Sequence, residues 1–170
     1  RFALLKFLLS LQPIYLNEED PSICRMMHRL ITILLRLNDT PVMKQNSVIS
    51  SEYYNFKLRL WQAICALHPF ITQPLLPLTN HFTWDAICTL THVHIRYHME
   101  LFAAHLLQRY PSDCLPAFEK QIASFAHKPQ IVSSLFLILA YALFSSDSPP
   151  LDKTLLYRMT YYCLPWLAST

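Results

Sequence analysis

The sequence predicts an all-α protein, and three observations carry that expectation. One is an apolar stripe at helical spacing that recurs four times. Its best copy holds Phe56, Leu60, Ala63, Ile64 and Leu67, at offsets i, i+4, i+7, i+8 and i+11, widened by Trp61. The same offsets return at Ile23, Met27, Leu30, Ile31 and Leu34, at Ile95, Met99, Phe102, Ala103 and Leu106, and at Ile131, Leu135, Ile138, Leu139 and Ala142. Their starts lie 33, 39 and 36 residues apart (56−23, 95−56, 131−95). The second observation is that breaks at Pro69, Pro111 and Pro149 keep a similar period, 42 and 38 residues (111−69, 149−111). The third is that no stretch alternates at period two, so no strand is expected. An apolar helix and a break recurring every 35 to 40 residues is the pattern of stacked antiparallel helical hairpins, a HEAT- or armadillo-like α-solenoid. Residues 1–170 are read as a single segment of such a solenoid.

In chain order, Phe2 to Leu11 forms a first helix ended by Pro13, and the acidic loop Asn17-Glu18-Glu19-Asp20 follows. Asp20 is the N-cap and Pro21 the first residue of a helix to about Leu37, closed by Asn38-Asp39-Thr40-Pro41. Residues 42–50 have no usable periodicity and read as a loop or a gap. Ser50 or Ser51 opens the central helix, with Glu52 in the first turn where a carboxylate suits the positive end of the helix dipole, and His68-Pro69 ends it. Pro74 and Pro77 limit the next segment to a short turn and a helix capped by Thr83. Thr91 starts a long helix to Arg109 or Tyr110. Ser112 caps one to about Ala126, with Pro116 near its first turn, and Lys128-Pro129 starts one to Phe144. Residues 145–150 are a loop, and Leu151 to about Leu167 the last helix, with Pro165 kinking or ending it.

Composition excludes several functions. Glycine is absent altogether, whereas about 7% is ordinary. Phosphate-cradling loops, dinucleotide fingerprints and nucleophile elbows use glycine where the backbone takes φ > 0 or approaches a ligand closely. The chain is 53% apolar and only 15% charged, against about 25% charged for an ordinary globular domain. That excess, and a start at Arg1, suit an excerpt of a longer chain with open solenoid ends. Five cysteines without Cys-x-x-Cys spacing, Cys24 and Cys65 on or beside apolar faces, read as reduced core thiols of a cytoplasmic or nuclear protein. Phe2 to Leu11 has a signal-like core but no cleavage site. The run Ile131 to Phe144 is 14 residues long, short of the roughly 17 a membrane span requires, so no membrane partner is expected.

No constellation commits the chain to catalysis. His92, His94, His98 and His105 share one helix, and His94 and His98 stand at i, i+4 with Glu100 nearby. They lack the glutamate of a metalloprotease helix and a third ligand, so no metal is assigned and the histidines are read as core-edge or solvent-facing. Trp61, Trp84, Trp166 and the tyrosines lie at helical spacing and read as packing before base stacking. Ser50, Ser51 and the distant histidines form no nucleophile-base pair, and Asp113 with Glu119, or Glu18 with Glu19, no acid/base pair. The net charge is only +3. Lys57, Arg59, Arg96, Arg109 and Lys128, on helices or at their ends, read as solvated surface before RNA contact and are the candidate phosphate contacts.

The runs Lys57-Leu-Arg-Leu-Trp-Gln-Ala-Ile-Cys-Ala-Leu-His-Pro69, Ile95-Arg-Tyr-His-Met-Glu100 and Leu106-Leu-Gln-Arg-Tyr-Pro111 resemble the helical-repeat region of the TAR RNA-binding protein 1 family. Those are large eukaryotic proteins similar to tRNA (guanosine(18)-2′-O)-methyltransferases, and the resemblance covers about Ser51 to Phe144. It implies a long solenoid preceding a knotted, S-adenosylmethionine-dependent methyltransferase domain that modifies a ribose of tRNA. This chain carries none of that domain's glycine-dependent cofactor loops, so no catalytic residue and no cofactor transfer to it. The implied role is a scaffold that positions tRNA or the assembly, with tRNA, the rest of the polypeptide and a second copy as expected partners. The alternative is a HEAT-type protein-interaction scaffold without RNA contact.

Overall fold

The computed structural model describes residues 20–44, 52–89, 91–125 and 128–144, together with positions 157 and 161. The described residues form seven α-helices and two 3-10 turns, with no strand among them. The helices are α1 (Pro21–Asn38), α2 (Pro41–Lys44), α3 (Glu52–Ala66), α4 (Leu76–Ile87), α5 (Val93–Arg109), α6 (Pro111–Phe125) and α7 (Pro129–Phe144). The expected helix Phe2 to Leu11, the acidic loop before Asp20, residues 45–51 and the loop at 145–150 lie outside the described residues. So does most of the last expected helix, of which Tyr157 and Tyr161 are helical and exposed.

Local chemistry explains most helix starts. Asp20 is the N-cap of α1, its Oδ1 accepting from the Ser22 N–H at 2.7 Å and the Ser22 hydroxyl at 2.6 Å. Those bonds hold the Asp20 carboxyl below its ordinary pKa. Pro21, Pro111 and Pro129 each stand first in a helix, where no intrahelical N–H is required, so the cap expected at Ser112 is corrected: Ser112 is the second residue of α6. Pro116 lies inside α6 without ending it. It and Ser112, whose carbonyl loses a helical donor to the proline ring, are both exposed.

Two expected boundaries are corrected. The segment read as loop from residue 42 begins with helix α2, nucleated by Pro41 and tied down when the Lys57 Nζ donates to the Met43 carbonyl at 2.7 Å. That contact spans 14 residues and leaves no trace in local periodicity. The other concerns Thr83, which caps nothing. α4 starts seven residues earlier at Leu76 (83−76), because Pro77 falls in its first turn, while Pro74 falls in the 3-10 turn Gln73–Leu75. Thr83 and Thr79 are buried within α4, and Thr79 Oγ1 donates back to the Leu75 carbonyl at 2.9 Å.

The chain divides into two compact units, residues 1–102 and 103–170, with the division inside the continuous helix α5. In the first unit α1 packs on α3 and α4. Trp61 Nε1 donates to Asn38 Oδ1 at 2.9 Å, Lys57 reaches Met43, and the Thr72 hydroxyl meets His28 Nε2 at 3.1 Å. Partner numbers fall from 72 to 57 as α1 and α2 advance from 28 to 43, so this face of α3 is covered by chain running antiparallel to it. Against the first half of α5 the numbers rise together. The Tyr54 hydroxyl lies 3.0 Å from His94 Nδ1, Gln62 Nε2 lies 3.3 Å from His98 Nε2, and Trp61 meets Phe102 edge to face with ring centroids 6.2 Å apart. α3 and this part of α5 therefore run parallel. In the second unit α6 packs on α7. Gln108 donates to the Tyr141 and Ala142 carbonyls at 3.2 and 3.0 Å, joining the last turn of α5 to the C-terminal end of α7.

The apolar stripes become the core. All their residues are buried except Ile23, Leu30 and Phe56, which are half-buried. One inference from them is corrected. Because α1 runs against α3, the 33-residue step from Ile23 to Phe56 joins antiparallel helices, not equivalent ones.

Candidate nucleic-acid interface

Two of the five cations expected to meet phosphate are interior. Lys57 is 3% exposed, and burial pushes its pKa below the ordinary lysine value while its ammonium donates to the Met43 carbonyl. Arg96 is 5% exposed, its Nε 3.3 Å from Glu100 Oε1 one turn along α5. Burial lowers the Arg96 pKa and the Glu100 carboxylate works against that shift. Both side chains are thus part of the interior, and the phosphate role expected of Lys57 and Arg96 is corrected. The sequence held a signal of this. Lys57 stands three and four residues before Leu60 and Trp61, and Arg96 three before Met99, so both lie on the stripes that become core.

Arg59, Arg109 and Lys128 are exposed. Arg59 Nη1 donates to Gln62 Oε1 at 2.8 Å. Arg109 is the last residue of α5, its guanidinium carbon 5.7 Å from the Tyr110 ring centroid. Lys128 immediately precedes α7. Within the second unit Arg109 follows Gln108, which sits at the C-terminal end of α7, whereas Lys128 marks its other end, about 20 Å away at 1.5 Å per residue.

Among the described residues a polar cluster lines the seam of α3 and the start of α5. Tyr54 Oη lies 3.0 Å from His94 Nδ1 and 3.4 Å from His92 Nδ1, and the Tyr54 and His92 rings meet edge to face at 5.2 Å. His92 Nδ1 also accepts from the His94 N–H at 3.4 Å, a cap on the first turn of α5 that needs this nitrogen unprotonated. A turn further on, half-buried His98 faces Gln62, and desolvation holds its imidazole below the ordinary value of 6.5. The unfolded chain takes up the His98 proton first as pH falls. Folding stability is therefore expected to decline through 6.5 toward the lower folded value and to level off below it; denaturation across pH 5 to 8 should find that decline reduced in His98→Gln. Among the described residues no group of three His, Cys, Asp or Glu side chains is arranged to hold a metal ion. Cys24, Cys65, Cys88 and Cys114 are thiols, and burial raises Cys65 to about 11, so it is protonated at neutral pH.

No protein-family model, no curated protein and no solved structure matches the chain. Among the described residues no helix is long and apolar enough to cross a membrane.

Proposed function

We propose that the chain is a non-catalytic helical-repeat scaffold, of HEAT or armadillo type, belonging to a tRNA ribose 2′-O-methyltransferase-like protein, and that it positions tRNA or the assembly for a catalytic domain outside this sequence. One observation supports the repeat reading above the others. Contacts between α3 and α5 join residues 36 to 41 apart, and those between α5 and α7 residues 33 and 34 apart, beside stripe steps of 39 and 36. Contact partners separated by about one period are what stacked repeats require. Of the motif residues behind the resemblance, Trp61 and Gln62 face Phe102 and His98 across this seam, while Arg96 pairs with Glu100 within α5 itself. On this reading the shared motifs preserve packing, and S-adenosylmethionine belongs to the separate catalytic domain.

Arg59, Arg109 and Lys128 are then the phosphate contacts, binding by counterion release and not by base readout. The test is tRNA binding across a salt titration for the chain and for Arg59→Glu/Arg109→Glu/Lys128→Glu. Affinity should fall at least about tenfold and the salt slope should flatten by about one unit per cation removed. Equal affinity and slope in the two proteins would sink the RNA role. A second reading, a protein-interaction scaffold without RNA contact, draws support from the large apolar side chains Met26, Ile33 and Leu37 exposed on α1.

A further inference from the structure

α1 buries one face and presents another of unusual composition. Met27, Ile31, Leu34 and Leu35 point into the first unit, while Arg25, Met26, Arg29, Ile33, Arg36 and Leu37 are exposed. These six stand at offsets 0, 1, 4, 8, 11 and 12, which is one side of a helix. Met26, Ile33 and Leu37 are 54%, 57% and 38% exposed, with half-buried Leu30 between them, so both ends of the apolar row are open to water. From Met26 to Leu37 it runs about 16 Å, three turns of helix. α1 contains no Asp or Glu. Asp20, the cap, senses Arg25, and no ion pair among the described residues engages Arg29 or Arg36. Ser22, Arg25, Met26 and Arg29 also line a cleft of about 250 Å³ at the N-terminal end of this face.

We propose that this face docks an acidic amphipathic helix of another protein. An apolar row spanning three turns is the footprint of a helix laid alongside, and a methionine adapts its shape to the side chains placed on it. The flanking arginines set the sign of the partner, because guanidinium groups take carboxylates in bidentate pairs and leave a basic helix repelled. Nucleic acid is the poorer occupant: phosphate contact gives no reason to expose three large apolar side chains between the cations. The described residues of a second copy offer no better fit. Its described carboxylates outside the core, Asp20, Asp39, Glu52, Asp85, Asp113 and Glu119, form no row on one helix face. The proposal rests on α1 alone and stands or falls separately from the tRNA reading.

The experiment uses a fluorescent amphipathic peptide of about 18 residues, with leucines at i, i+3, i+4 and i+7 and glutamates flanking them, and a second peptide with lysine at every glutamate. Anisotropy titration should find the glutamate peptide bound at least about tenfold more tightly than the lysine peptide. Arg25→Glu/Arg29→Glu/Arg36→Glu should reverse that preference, and Ile33→Ser should weaken both combinations. All these positions are exposed, so circular dichroism and thermal melting should be unchanged. No binding of the glutamate peptide, equal binding of both peptides, or an unaltered preference in the triple variant would overturn the proposal. Loss of tRNA binding in that variant without a change in peptide preference would also overturn it, and would assign the face to nucleic acid.

Discussion

Trp61→Ala is expected to destabilise the protein by about 3–5 kcal/mol, the range for removing a fully buried aromatic side chain and leaving a cavity. Trp61 has no exposed surface, and its ring lies at 66° to Phe102 across the seam of α3 and α5. The substitution also strands an acceptor, because Trp61 Nε1 donates to Asn38 Oδ1 and Asn38 is itself 6% exposed. An orphaned buried amide adds about 1–3 kcal/mol of desolvation unless Asn38 moves, so the upper half of the range is the expected result. Trp61→Phe separates the two contributions, since it restores much of the ring volume and none of the hydrogen bond. Denaturant titration measures both variants. A loss under about 1 kcal/mol for alanine would mean that Trp61 is not the packing centre of the first unit.

Glu100→Gln is expected to cost about 3–5 kcal/mol, although it changes only a carboxylate into an amide. The side chains of Arg96 and Glu100 are each 6% exposed, so the variant leaves a guanidinium in the interior without its counter-charge. The expense lies in the stranded charge more than in the lost pair. Arg96→Met/Glu100→Leu, which removes both charges and keeps the volume apolar, should accordingly recover most of the loss and fall within about 1–2 kcal/mol of the parent. A double variant as unstable as Glu100→Gln alone would show that the pair contributes net stability.

These two residues mark how far the sequence could be read. Most helix positions were legible, because Asp20, Pro21 and Pro129 announce starts by local chemistry and the stripes give the faces, whereas Pro111 reads as a break and is in fact the first residue of α6. Helix α4 was not, because Pro77 reads equally as a break or as a first turn, and only the packing of Leu76, Thr79 and Thr83 into the core decides. The cations were the least legible. Arg59 and Lys57 are two residues apart, yet one is exposed and the other holds the Met43 carbonyl from the interior. Charge is visible in a sequence, but the tertiary acceptor that permits its burial is not. The helix directions were equally hidden: the 23-to-56 and 56-to-95 steps look alike as spacing, and only the contacts of Asn38 and Phe102 with Trp61 separate an antiparallel pair from a parallel one.

α3 and the first half of α5 lie parallel, as neighbouring repeats of the proposed scaffold would. Nuclear Overhauser contacts in the isotope-labelled chain test this directly. The account predicts contacts of the Trp61 indole with the Phe102 ring and of the Tyr54 ring with His92, two pairs whose numbers rise together. Contacts of Tyr54 with the Phe102 end of α5 and of Trp61 with the His92 end would place the helices antiparallel, and would contradict the repeat reading on which the proposed function rests.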